Sequence, residues 1–331
     1  MRKLLPAYSV LIFTLITFLV IGCSKEITVD LPNAQSQIVV EGSIEQGQPP
    51  IVLLTYSQGY FDPTDITSLE SYFVRGANVT LNNGTITETL IEICTDDLTE
   101  EQQVQIAELL GISPETLATF NVCGYTSLNP AIWGEEGKVY TLQITKDNHN
   151  LKSVTKINNV VELDSLWFKI PNDNPDDSLG FIYGILTDPD STGNAYRWFA
   201  KRVNQYPSWS PDELAGTQKD QSFIAPLGSV FDDTFFNGLS FEFAYFRGRT
   251  ANSLKFDDNN TEAGYFKRGD TIVVRGCVID RKSFKYIDSY ENQISTQGSP
   301  FSVPFNLESN VEGGLGAFIG YGAVYDTVIC Q

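Results

Sequence analysis

Beyond residue 36, apolar and polar positions alternate with a period of two, in short runs. Residues 39–44 alternate around Gly42, and residues 51–55 form a short apolar run. Ala77, Val79 and Leu81 alternate with Asn78 and Thr80 and run into Asn82-Asn83-Gly84. An Asn-Gly between alternating segments favours a type I′ turn, whose central residues need positive φ, so residues 85–93 are read as the return strand. Tyr140, Leu142 and Ile144 alternate with Thr141, Gln143 and Thr145 after the turn Glu135-Glu136-Gly137. Residues 163–170, 181–186, 195–203 and 271–279 read as later strands, and the Gly-rich end, 313–330, as a closing strand pair. The stretch 205–267 shows little clean periodicity. Short strands separated by turn residues predict a mainly β chain with two β-sandwich-like domains, the first immunoglobulin- or transthyretin-like.

Two segments change period. Residues 98–111 read as a helix, with Thr99 as N-cap, Gln102 at the capping-box position and an apolar stripe of Ile106, Leu109 and Leu110. Ser113-Pro114-Glu115 starts a second short helix, since Pro suits the first helical position. Together they make a helical insert near 97–121. Residues 286–294, with Tyr290 and Ile294 four apart, read as a further helix. The expected organisation is a lipoprotein signal peptide (1–22), a lipidated tether (23–36), a sandwich with its insert (37–160) and a C-terminal β-rich domain (161–331).

The signal rests on Arg2 and Lys3, an apolar stretch over 4–20, and an end in Val20-Ile21-Gly22-Cys23, which resembles a lipobox. Cys23 is then the lipidation site, and its acyl chains meet the requirement for stable anchoring. Four of the five cysteines remain, an even number that suits an oxidising compartment. Three connectivities are open; pairing within each half joins Cys94 to Cys123 and Cys277 to Cys330. The first bridge would close the base of the helical insert.

Composition narrows the chemistry. The 331 residues carry 41 Asp and Glu against 22 Lys and Arg, a net charge of −19, which argues against nucleic acid. A single His excludes a multi-His metal site. Neither a G-x-S-x-G elbow nor an H-E-x-x-H motif nor a P-loop occurs. Ser153 and Lys156 match S-x-x-K, yet on β-type sequence. Asp188, Asp190, Thr192 and Gly193 have the early spacing of a calcium loop, but Phe199 stands where the bidentate Glu belongs, so a turn is expected. Asp257, Asp258 and Glu262 form another acidic loop, and His149 reads as a hairpin-tip residue. No metal or cofactor is expected. Tyr206, Trp209, Tyr245 and Tyr265 are candidate loop aromatics for a binding surface.

Several stretches, in order, carry a resemblance. They are Cys23 with Glu26-Ile27 and Leu31-Pro32, then Ile38-Val39-Val40-Glu41-Gly42-Ser43-Ile44, Val74-Arg75-Gly76-Ala77-Asn78-Val79 and Gly137-Lys138-Val139-Tyr140-Thr141-Leu142. Asp164-Ser165-Leu166, Gly193-Asn194-Ala195-Tyr196-Arg197-Trp198, Arg268-Gly269-Asp270 and Pro300-Phe301 through Phe318 follow. With these the chain resembles the domain-of-unknown-function 4249 family of Bacteroidota outer-membrane lipoproteins. The resemblance implies a setting beside TonB-dependent transporters and brings no catalytic residues. The helical insert departs from the short linker expected at that point. The expected function is a non-enzymatic lipoprotein, anchored at the outer membrane and exposed on the cell surface, that serves an envelope transport complex. The competing expectation is a surface hydrolase acting on a glycan or peptide through carboxylates.

Overall fold

Alternation buries one side of each strand, and this rule arranges the chain into layers. A computed structural model describes residues 36–59, 70–110, 114–172, 178–210, 214–248, 264–296 and 307–331. The first strands are β1 (Ile38–Glu45), β2 (Ile51–Tyr56), β3 (Asn78–Asn82), β4 (Thr87–Thr89), β5 (Ile91–Cys94) and β6 (Cys123–Thr126). Next come β7 (Val139–Lys146), β8 (His149–Lys156), β9 (Leu163–Lys169), β10 (Leu179–Thr187), β11 (Ala195–Arg202) and β12 (Val230–Asp232). The last are β13 (Ser240–Tyr245), β14 (Phe266–Lys267), β15 (Thr271–Ile279), β16 (Val311–Glu312) and β17 (Leu315–Ile329). Helices α1 (Glu100–Leu110) and α2 (Pro114–Leu117) lie between β5 and β6, and α3 (Arg281–Thr296) follows β15. The chain is mainly β, as its pattern predicts.

Eight strands form the largest sheet, in the order β12-β11-β15-β17-β1-β2-β6-β5. One of its faces is packed twice. Around β1 and β2, Ile38, Val40, Val52 and Leu54 meet Val79, Leu81, Leu142 and Ile144 of the five-stranded sheet β16-β8-β7-β3-β4. Around β11 and β15, Trp198, Ala200, Ile272 and Val274 meet Ile182, Phe168 and Phe243 of a four-stranded sheet built from β9, β10, β13 and β14. The sandwich-like layering is therefore present twice, with one sheet common to both. The eight-stranded sheet runs across the expected boundary near residue 160, whereas the four-stranded sheet lies wholly after it and the five-stranded sheet takes only β16 from beyond it; residues 36–331 cluster as one compact unit. The cause is the parallel pairing of β1 with β17, from Val39 opposite Leu315 to Glu45 opposite Tyr321. Gly316 permits it: φ is +90°, and an added Cβ would lie 2.0 Å from the Val40 carbonyl oxygen.

On the opposite face, α3 sets Ile287 and Phe284 against Ala195, Ile279, Ala317 and Ile319. Asp280 fixes the start of this helix. Its Oδ1 accepts the Ser283 N–H at 2.8 Å, while its Oδ2 accepts the Thr155 hydroxyl of β8 at 2.6 Å. The helical insert meets the same face at Leu53 of β2, and a groove is left between the two.

Three local expectations are refined. The turn after β3 is a four-residue loop rather than type I′, because Asn83 Oδ1 accepts the N–H groups of Thr85 (3.1 Å) and Ile86 (3.0 Å). The return strand divides: β4 pairs with β3, and β5 crosses to the large sheet beside β6. The stretch 205–267 holds β12, β13 and β14. The capping box forms as expected, with Thr99 N–H donating to Gln102 Oε1 (3.0 Å) and Gln102 N–H to Thr99 Oγ1 (3.3 Å). Ile106 and Ala107 pack with Leu117 and Val122; the side chains of Leu109 and Leu110 lie outside the described residues.

Candidate binding groove

The open face of the large sheet holds a groove of about 900 Å³. Residues of one parity on β11, β15, β17 and β2, with residues of both parities on β1, make its floor. Tyr286 and Tyr290 of α3, Ser222 and Phe223, and Gln105 of the insert border it. The pleat explains the division on β17, where Ile319 and Tyr321 face the groove and Phe318 lies in the opposite core.

Register brings its charged and aromatic groups together. Phe199 on β11 stands opposite Arg275 on β15, and Arg275 opposite Tyr325 on β17. Across the parallel pair, Glu45 stands opposite Tyr321. Glu45 binds Arg275 through one oxygen and accepts the Tyr325 hydroxyl at 2.5 Å through the other. The Arg275 guanidinium lies 4.6 Å from the Phe199 ring centre and 4.7 Å from that of Tyr321. Arg197 sits 4.7 Å over Phe199 and donates through Nη1 to the Tyr321 hydroxyl at 2.8 Å. Cation–π contacts and the fixed phenol orient both guanidinium planes. Burial and the Glu45 contact push the Tyr325 phenol well above its ordinary value, so it donates and does not ionise near neutrality. Burial, with Glu41 next, moves Tyr286 the same way.

The charges are unevenly matched. Arg197, Lys201 and Arg275 line the groove with Glu41 and Glu45, a basic excess in a chain of net charge −19. Arg275 is neutralised by Glu45. Among the described residues Arg197 contacts no carboxylate, and its Nε is buried without a partner. The arrangement can take up a ligand with flat faces, hydroxyls and an anionic group.

The residues singled out from sequence fall elsewhere. Cys94 and Cys123 form the expected disulfide, directly opposite each other on β5 and β6, at the base of the insert. Cys277 and Cys330 do not pair; both are free and buried. Cys277 stands opposite Ala323, seven residues before Cys330, which puts the two about 20 Å apart along the sheet. They also lie on opposite faces, Cys277 under α3 and Cys330 against Ile272 and Val328. Cys23 lies outside the described residues, as do Asp257, Asp258 and Glu262.

Of the four loop aromatics, Trp209 is 84% exposed. Tyr206 is half-buried and donates to the Gly269 carbonyl at 3.3 Å. Tyr245 is not in a loop: it lies on β13 and stacks on Trp198 at 5.1 Å, while Tyr265 stacks on Phe181 at 5.3 Å. The 188–193 loop is a turn. Asp188 accepts the Tyr196 hydroxyl and the Gly238 N–H, and Asp233 takes the N–H groups of Gly193 (2.6 Å) and Asn194 (2.8 Å). Ser153 and Lys156 are three apart on β8, so they project to opposite faces. His149 is half-buried at the start of β8, beside the turn at Asp147 and Asn148. Glu92 approaches Cys94 and Cys123, but the disulfide removes both thiolates as metal ligands. Sequence reasoning did not select Glu45, Arg275, Tyr321 or Tyr325. Glu41 and Arg197 stood inside the quoted stretches, yet nothing local marked them as sharing a groove.

This geometry defines a β-sandwich protein with an amphipathic, aromatic-lined groove on its open sheet face. The family described as Domain of unknown function (DUF4249) matches residues 24–325, and the chain belongs to that family. Searches of curated proteins and of solved structures return no match.

Proposed function

We propose that the chain is a non-enzymatic binding lipoprotein, anchored at the outer membrane through acylated Cys23, that presents a ligand to an envelope transport complex of the TonB-dependent type. The groove of about 900 Å³ carries this reading, because its size falls in the range of small-molecule sites and its walls combine aromatic faces with few placed charges. The family membership and the lipobox-like end at Cys23 supply the setting. A tagged copy is purified in mild detergent from outer membranes. Recovery of a TonB-dependent barrel with it is the expected result. Recovery of no membrane complex, together with hydrolysis of a glycan or peptide panel by the purified protein, overturns the reading. Palmitate labelling checks the anchor separately: Cys23→Ala should abolish it, and persistent labelling rejects Cys23 as the site.

A further inference from the structure

Among the described residues the groove holds one guanidinium that meets no carboxylate, although the Nε of Arg275 is as unpartnered as that of Arg197. Arg275 is accounted for by Glu45 and by two aromatic faces. Lys201 extends over Phe223. Arg197 has a ring beneath it and a phenol on Nη1, but among the described residues no carboxylate meets it. Its plane is thereby fixed, its Nε is buried out of a ligand's reach, and among the described residues its Nη2 has no hydrogen-bond partner, which leaves that end of the guanidinium to hold an oxyanion by a charge-assisted hydrogen bond. Around it the groove offers tyrosines beside the apolar rings of Phe199 and Phe223: Tyr286, Tyr290, Tyr321 and Tyr325. Such side chains present a flat face to a ring and a hydroxyl to a polar group. Glu41, at the same floor, repels a second negative charge and can accept a hydroxyl.

Resting on the binding reading above, we propose that the groove recognises a monoanionic ring ligand bearing hydroxyls, the chemistry of a sugar acid, with its carboxylate on Arg197. The carboxylate takes Nη2 of Arg197, and the ring lies against the tyrosine faces. Tyr321 is a positioning residue, since its hydroxyl holds the guanidinium.

The test uses the folded protein with an aldobiouronic acid, a uronic acid linked to one neutral sugar, and with its methyl ester. The ester keeps both rings and removes only the charge. Calorimetric titration should show the acid binding about 10- to 100-fold more tightly than the ester, the range of a charged hydrogen-bonded contact. Arg197→Gln should bring the acid down to the ester's affinity and leave the ester unchanged. Arg197→Lys should restore part of the difference, and a native circular dichroism spectrum separates lost binding from lost folding. Equal affinity for acid and ester, or no binding of either, overturns the sugar-acid assignment. The membrane pull-down then still decides the broader binding reading, so the two can fail separately.

Discussion

The two faces of the eight-stranded sheet are made by neighbouring residues of the same strands, yet they handle charge in opposite ways. On β11, Trp198 and Ala200 lie in the packed face, while Arg197 and Phe199 line the groove. Arg202 continues the packed parity and is fully buried, but Asp270 meets it at 2.7 Å and Asp220 accepts its backbone N–H at 2.7 Å. Arg247, also fully buried, is matched to Asp220. Burial and the nearby Arg202 push the Arg247 pKa down, and the two carboxylates oppose that shift. Charge enters the packed face with its partner, as the cost of an unpaired buried ion requires. The groove face keeps Arg197 without one. A protein whose open face served only solubility would have no need to rest that cation on a ring and fix it with a phenol.

The largest expected effect breaks the packed side of this contrast. Asp270→Ala leaves Arg202 buried without its carboxylate and should cost about 3–5 kcal/mol, read as a lowered urea midpoint. Replacing Asp270 and Arg202 together by apolar residues should recover much of that loss. If Asp270→Ala is neutral, the buried pairs are not what distinguishes the faces.

The disulfide comes next. Cys94 and Cys123 are 29 residues apart, and opening that loop by Cys94→Ala with Cys123→Ala should cost about 3.5 kcal/mol in the chain-entropy account. The insert it closes contributes Gln105 to the groove rim, so the double variant should also weaken ligand binding. Unchanged thermal unfolding would remove the bridge from the stability of this edge.

Cys277 and Cys330 sharpen the comparison from both faces at once. Burial pushes the Cys277 thiol up to about 11 and the Cys330 thiol up to about 12, from an ordinary value near 9.0. Raised values mean that the folded chain holds protons the unfolded chain has lost, so stability is complete below pH 9 and falls as pH rises toward 11. Thermal unfolding followed from pH 8 to 11 should show this decline, shallower in Cys277→Ala and in Cys330→Ala. A decline of the same steepness in both variants would assign it to the buried tyrosines instead.

Much of the packed face was legible in the sequence, because burial of one parity leaves a period-two pattern that can be read without a partner. The helical insert was legible for the same kind of local reason, since Thr99 and Gln102 cap each other within one turn. On β13, Phe241, Phe243 and Tyr245 carried a readable alternation that the surrounding polar residues hid. The parallel junction of β1 with β17 was not legible, because nothing near Val39 specifies Leu315 as its neighbour. The groove depends on that junction: Glu45 reaches Arg275 and Tyr325 only once the two ends of the chain share a sheet. For the same reason the second disulfide was misplaced, since pairing within a sequence half ignores the face on which each thiol lies.

The smallest expected effect on stability isolates the open face. Tyr290 is 46% exposed and stacks on Tyr286 at 6.3 Å along α3, so Tyr290→Ala removes a half-wet ring at the groove wall and leaves no buried polar group behind. Its stability cost should stay below about 1 kcal/mol. If the ring is a ligand-facing platform, the variant should weaken the aldobiouronic acid and its methyl ester by the same factor, because the lost contact is with the rings and not with the charge. Arg197→Gln should affect only the acid. Those two signatures separate stacking from charge recognition within one groove. Equal affinities of wild type and Tyr290→Ala for both probes would place the ligand away from α3, toward Phe223 and Tyr325 at the other side of the floor.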